Sequence, residues 1–146
     1  MSGAPGSIVA YIDGGARGNP GPAGYGVRVE TERGDLIDEL CGFLGSATNN
    51  IAEYNGLLAA LRWAAERGHR KLHVRADSEL LVKQMRGEYR VKHENLKPLF
   101  LQACALIRRI GDVTFEHIRR EYNKDADRLS NLGMDEAEAR LRVPGA

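Results

Sequence analysis

Two apolar runs of strand length, SIVAYID and KLHVRAD, each end on an aspartate, and that restricts where this chain can place a sheet edge and its chemistry. The two are Asp13 and Asp77. Glu53 falls in the opening turns of a helix that begins TNNIAEY, and Asp127 in those of NKDADRLSN. A carboxylate in any of these places gains little unless a cation needs it. Brought together, the four would repel one another and raise their own pKa values. Bound Mg²⁺ would neutralise them, because it takes hard oxygen ligands and is often shared with substrate phosphates. Such a set of groups suggests a two-metal nuclease.

The hydrophobic pattern supplies the frame. Residues 7–13 form a short apolar run ended by glycines, as in a central strand. Residues 24–31 and 36–44 alternate around Arg33-Gly34, which predicts a hairpin. From Ile51, residues Tyr54, Leu58, Leu61 and Ala65 recur at steps of three and four, predicting an amphipathic helix that stops near Gly68. A strand over 71–77 and a short helix over 78–86, halted by Gly87, come next. A further helix starts near Asn95, with Pro98 in its first turn, where amides have no helical partner. A strand over 113–118 precedes a last helix, capped by Asn123 and running through Leu132.

The resulting order is βββαβααβα. Short turns make the first three strands antiparallel neighbours, while strands separated by a helix run parallel through right-handed crossovers. This is an α/β chain with a mixed sheet and helices packed on it. Asp13 and Asp77 then lie at carboxyl ends of parallel strands, where ligands gather in open sheets. The helix starting near Thr48 brings Glu53 towards the same edge.

With 146 residues and no repeat, linker or low-complexity segment, the chain reads as one domain over 1–146, its core spanning about 7–135 between short tails. A net charge of +1 excludes a global basic field, so any surface for nucleic acid must be local. Cys41 and Cys104 lie inside apolar patterns and read as buried free thiols in a reducing compartment. The opening MSGAPGS has no charged or apolar leader region, and no apolar run approaches the ~18 residues of a membrane span. A cytoplasmic monomer with no membrane and no protein partner is expected.

The run DGGARGNPGPAGYG, from Asp13 to Gly26, contains six glycines and two prolines. Such glycines let a backbone approach a polyanion and offer N–H groups. Gly14, Gly15, Arg17 and Asn19 are therefore candidate substrate contacts, although the run reads equally as the entry to a hairpin. In TNNIAEY, Thr48 or Asn50 can cap the helix, with Glu53 completing a capping box to Asn50. Thr48, Asn49, Asn50 and Glu53 also cluster at one helix start, where phosphate oxygens are attracted. Asp77 can cap the helix that follows it. Asp125 and Asp127 both suit a helix dipole, and at two residues apart they face different sides, so one of them reaches a site. None of the four histidines, His69, His73, His93 and His117, shows metal-ligand spacing; His73 and His117 read as packed strand residues.

In these motifs, taken together and in order, the chain resembles the type 1 ribonuclease H family. The resemblance runs from about Ile8 to Met134 and rests on DGGARGNPGPAGYG, TNNIAEYNGLLAAL, RADSELLVKQ and REYNKDADRLSN. It implies the ribonuclease H fold, with five strands, three parallel and two antiparallel, flanked by helices. It also implies hydrolysis of the RNA strand of RNA/DNA hybrids. Metal-binding carboxylates would be Asp13, Glu53, Asp77 and Asp127, with Asp125 a bystander. Thr48 matches the family's phosphate-pocket threonine, and Asn49 and Asn50 match groups that read the minor groove of the hybrid. Two family features are missing. HIRREYNKDAD is a shorter loop without the flexible-loop histidine and has Arg120 nearby, as in a subset resembling archaeal and reverse-transcriptase-like members. GEYRVKHENLKPLF is short and mixed in charge where some bacterial members carry a basic protrusion.

The expected mechanism is hydrolysis by two Mg²⁺ ions about 3.5–4 Å apart, with Mn²⁺ a substitute, leaving 5′-phosphate and 3′-hydroxyl ends. Asp13 would bridge the ions, Glu53 and Asp77 would complete one coordination sphere, and Asp127 the other. Contacts to 2′-hydroxyls from loop backbone, Asn49 and Glu53 would select RNA. Arg120 stays charged and cannot act as a base, but its fork suits a phosphate. Two other readings are a binding module that kept the fold without catalysis and a nuclease of the same fold acting on other nucleic acids.

Overall fold

The computed structural model describes residues 7–142. Among them, three strands come first: β1 (Ile8–Ala16), β2 (Gly21–Glu30) and β3 (Leu36–Ala47). Helix α1 (Asn49–Glu66) is followed by β4 (Lys71–Ala76), α2 (Glu79–Met85), α3 (Lys97–Ile110) and β5 (Asp112–His117). A single 3₁₀ turn over Arg120–Tyr122 leads into α4 (Lys124–Arg142). The sheet order is β3-β2-β1-β4-β5. The pairs β1–β2 and β2–β3 are antiparallel, and β1–β4 and β4–β5 parallel, so the five-stranded mixed sheet of the sequence reading is observed.

Alternation along the strands gives the sheet two faces, each covered by helices. Ile8, Ala10 and Ile12 of β1 share one face with Val27, Val29, Leu72 and Val74, and pack there against Tyr54, Leu57, Leu58 and Leu61 of α1. That is the principal core, and α3 closes it through Ala103 and Ile110. Helix α4 covers the opposite face of β1, β2 and β3, burying Ala126, Leu129, Met134 and Ala137. Burying apolar surface on both faces stabilises such a sheet by about 25 cal/mol per Å² removed from water.

Several expectations change in detail. β1 does not stop at Asp13; it continues through Gly14 and Gly15 to Ala16, paired with β2 as far as Ala16↔Ala23. Its parallel pairing with β4 ends earlier, at Ile12↔Ala76. The glycine-rich run is thus largely strand, and its glycines serve close packing. A Cβ on Gly14 would fall onto the backbone of Ala52 and Glu53 in α1, and one on Gly24 onto Gly133 and Met134 in α4. Helix α4 continues ten residues beyond Leu132 to Arg142. The thiols are free, but Cys41 is exposed and Cys104 half-buried. The reason at Cys41 is its position on β3, an edge strand, where the thiol reaches the Leu129 carbonyl at 3.0 Å. No described helix is long and apolar enough to cross a membrane.

Candidate active site

The early end of the β1–β4 ladder creates the site. Past Ile12 and Ala76, β1 stays with β2 while the β4 chain turns away through Asp77 and Ser78 into α2. A notch opens between them, and Asp13 stands at its edge. The first turns of α1 lie directly over Gly14, which carries Glu53 into the notch. Asp13, Glu53 and Asp77 each present an oxygen, and these oxygens lie within 4.8 Å of one another. Asp127, in the first turn of α4, lines the same cleft and stands beside Asp13, close enough to perturb it. The cleft holds about 500 Å³, and Arg17, Asn49, Arg120, Asn131 and Met134 complete much of its wall.

The electrostatics are those of acids first buried and then crowded. Burial, then the charge of Asp77, pushes Asp13 up to about 8, although the Gly14 backbone N–H donates to it and opposes the change; Asp127 adds to the rise. Glu53 is pushed up to about 7, chiefly by burial, against a hydrogen bond from Ser78 and the nearby Arg120 charge. Carboxylates that resist ionisation when alone are groups whose charged forms want a cation. Three hard oxygen donors at this separation, with a fourth carboxylate alongside, fit a hard divalent cation.

The other candidates divide. Gly14, Gly15, Arg17, Asn49 and Arg120 line the cleft; among its lining residues Asn19, Thr48 and Asn50 do not figure. Thr48 is the N-cap of α1, its hydroxyl oxygen accepting from Ile51 N at 3.2 Å, so the capping box between Asn50 and Glu53 does not form. Asn19 holds the start of α1 by accepting from Asn49 N at 3.0 Å. Asn49 Oδ1 accepts from Ala16 N at 2.8 Å, which leaves the NH₂ of that amide to donate. Arg17 is committed: its guanidinium meets Asp135 at 2.6 Å and Glu138 at 3.0 Å on α4. Ser78, not Asp77, caps α2. Asp125 lies 3.8 Å from Arg28 and 3.6 Å from Arg128, and lines no part of the cleft. His73 is held on the sheet surface by Thr114 and Glu116 rather than packed.

Three residues at the site were not singled out for it from the sequence. Ser78 donates to Glu53, and Ser130 lies 3.2 Å from Asp13 Oδ2. Asn123, expected as a helix cap, directs its amide to Ile12 O at 2.9 Å and Asp77 Oδ2 at 3.3 Å. Its Oδ1, the atom a cap would use, has no partner among the described residues. Each lies within four residues of a candidate carboxylate, and that adjacency was the available signal.

Comparison with known proteins agrees with this architecture. A profile of the reverse transcriptase-like family matches residues 11–133. A bifunctional protein of Mycobacterium tuberculosis is 45% identical over 131 residues, which are 89% of this chain and 36% of that protein. The chain thus spans about a third of the length of that curated relative. The solved N-terminal RNase H domain of the same mycobacterial protein gives a TM-score of 0.89 at 43% identity, covering 92% of this chain and 98% of that domain. Ribonuclease HI of Halobacterium salinarum is 38% identical over 132 residues, 90% of this chain and 66% of that protein. LC11-RNase H1, solved in complex with an RNA/DNA hybrid, gives a TM-score of 0.86 at 42% identity and covers 90% and 99% of the two chains. With most of its length matched and the same sheet and helices in its solved relatives, the chain belongs to the type 1 ribonuclease H family.

Proposed function

We propose that this chain is a divalent-metal-dependent endonuclease that hydrolyses the RNA strand of RNA/DNA hybrids, leaving 5′-phosphate and 3′-hydroxyl ends. The observation that carries the reading is the convergence of Asp13, Glu53 and Asp77 within 4.8 Å, with Asp127 in the same polar cleft. Its support is the membership in a family whose relative LC11-RNase H1 was solved on such a hybrid. Asp13, Glu53, Asp77 and Asp127 would hold the metal, with Mg²⁺ the natural ion and Mn²⁺ a substitute. Bound there, the metal supplies charge neutralisation for the scissile phosphate and activation of the attacking water.

The chain's own groups do the rest. The Gly14–Gly15 backbone forms one side of the cleft, and at Gly15 the missing side chain, which would face Met134 and Asn49, leaves room for a sugar–phosphate strand. The free NH₂ of Asn49 is a donor for the 2′-hydroxyl, the group that separates RNA from DNA. Arg120, on the 3₁₀ turn, offers its fork to a phosphate and assists release of the product. Cleavage of labelled RNA/DNA hybrid, double-stranded RNA and double-stranded DNA, each with Mg²⁺, Mn²⁺ or EDTA, tests this. Metal-dependent loss of the RNA strand of the hybrid alone is expected. Equal cutting of double-stranded DNA, or full activity in EDTA, overturns it.

A further inference from the structure

We infer that Asn123 and Ser130, both delivered by the α4 segment, are positioning residues that fix the metal-holding geometry of Asp77 and Asp13; the inference rests on the proposed metal-dependent function. Asn123 and Ser130 are two of the three buried polar residues among those described, each 1% exposed. Burying an amide or hydroxyl is costly without a hydrogen bond, so what each bonds to is informative.

Asn123 sits where two backbones part. The β1–β4 ladder ends at Ile12↔Ala76, and the Ile12 carbonyl receives the Asn123 Nδ2 at 2.9 Å. The same Nδ2 lies 3.3 Å from Asp77 Oδ2. One amide group therefore spans the notch, tying the residue before Asp13 to the Asp77 carboxylate. Its Oδ1, the atom a helix cap would use, has no partner among the described residues, so the side chain does not cap α4 there. The backbone carbonyl of Asn123 meanwhile accepts from Asp127 N at 3.0 Å, the opening bond of α4 that any residue here would make.

Ser130 acts from the other side. Its Oγ lies 3.2 Å from Asp13 Oδ2 and 2.9 Å from Asp127 O, so one hydroxyl hydrogen faces two acceptors. The carbonyl bond is one that a helical serine makes anywhere. The bond to Asp13 is available only because α4 lies tightly against β2, where a Cβ on Gly26 would strike Leu129 and Ala126. Alanine would fill the same buried space, so the hydroxyl is the feature to explain. Together the two side chains orient one oxygen on each of two carboxylates from outside the ligand set. In metal sites, removal of such outer partners weakens metal binding by about 10- to 100-fold.

The test is calorimetric binding of Mn²⁺ to the full chain, alongside thermal unfolding in EDTA and the metal dependence of hybrid cleavage. Variants are Asn123→Ala, Ser130→Ala and Ser130→Thr, the last restoring a hydroxyl. The expected result is Mn²⁺ binding weakened about 10-fold in Asn123→Ala and about 3- to 10-fold in Ser130→Ala. Half-saturating metal should rise in parallel, KM for hybrid should stay constant, and Ser130→Thr should recover at least part of the binding. Should Asn123→Ala fail to fold, the Ser130 pair decides. Folded variants that bind Mn²⁺ like the wild type, even if less stable, refute the positioning role while leaving the proposed function intact. A wild type that binds no Mn²⁺ and cuts no hybrid overturns the proposed function itself, and this inference with it.

Discussion

Asp13→Asn should make the metal-free protein more stable, by an amount that grows with pH. Asp13 is pushed from 3.8 to about 8 in the folded chain, first by burial and then by the Asp77 charge. Between those values the folded state binds a proton that the unfolded chain has released, so stability falls as pH rises from about 4 to about 8 and levels off above. At about 1.4 kcal/mol per pKa unit the full difference would be worth roughly 6 kcal/mol, a ceiling. The cleft is open to solvent and the penalty is shared with neighbouring carboxylates, which reduces the expectation to about 1–3 kcal/mol. Asparagine keeps the shape and removes the titration. In EDTA at pH 8 the variant should therefore melt about 3–9 °C above the wild type, and near pH 3.5 the two should converge. Adding Mg²⁺ should raise the wild type and narrow the gap, because a ligand that binds only the folded state stabilises it. Thermal unfolding by circular dichroism at a series of pH values, with and without Mg²⁺, measures all of this. A variant less stable than the wild type at every pH, or a gap that does not change with pH, refutes the picture of crowded, cation-seeking acids.

Four other outcomes follow from the same geometry. Gly14→Ala puts a methyl group onto the backbone of Ala52 and Glu53, and should cost about 2–4 kcal/mol in unfolding free energy, read by denaturant titration; a neutral result contradicts the close approach of α1. Asp127→Asn should reduce hybrid cleavage far more than Asp125→Asn, since Asp127 lines the cleft and Asp125 faces Arg28 and Arg128; the reverse order in a cleavage assay means that the wrong aspartate was assigned. Arg120→Ala should slow turnover by about 10- to 100-fold, roughly 1.4–2.7 kcal/mol in the barrier, without abolishing it; a loss as deep as that of Asp13→Asn makes it a primary catalytic group. Arg17→Ala should change hybrid affinity by less than about threefold and leave its salt slope unaltered, because that guanidinium is already neutralised by Asp135 and Glu138; a slope reduced by about one in a binding titration shows that Arg17 contacts a phosphate instead.

The strand directions and the meeting of Asp13, Glu53 and Asp77 at one edge could be read from the sequence because both depend on local rules. Period-two and period-3.6 patterns fixed which segments were strands and helices, and crossover handedness then left few ways to arrange them. Strand ends gather at one edge, which is enough to place Asp13 and Asp77 together from sequence. What stayed hidden depends on contacts between distant segments. The glycines from Gly14 to Gly26 looked like a loop for an anion, yet most continue β1 and β2, and Gly14, Gly24 and Gly26 let α1 and α4 lie against strand backbone. Nothing within residues 14–26 announces Gly133, whose own Cβ would strike the carbonyl of Gly42. The commitment of Arg17 was invisible for the same reason: its partners stand 118 and 121 positions later, on a helical stretch beyond the expected end of α4. Asn123 shows the limit most clearly. As a residue preceding a helix it is a sufficient cap on local rules. Only the splitting of β1 from β4 at Ile12 and Ala76 creates an unpaired carbonyl beside a carboxylate, and with it a use for an amide that spans both. Local chemistry could name the acids that converge here; the contacts of Asn123 with Asp77 and of Ser130 with Asp13 arise only once the α4 segment packs on the sheet.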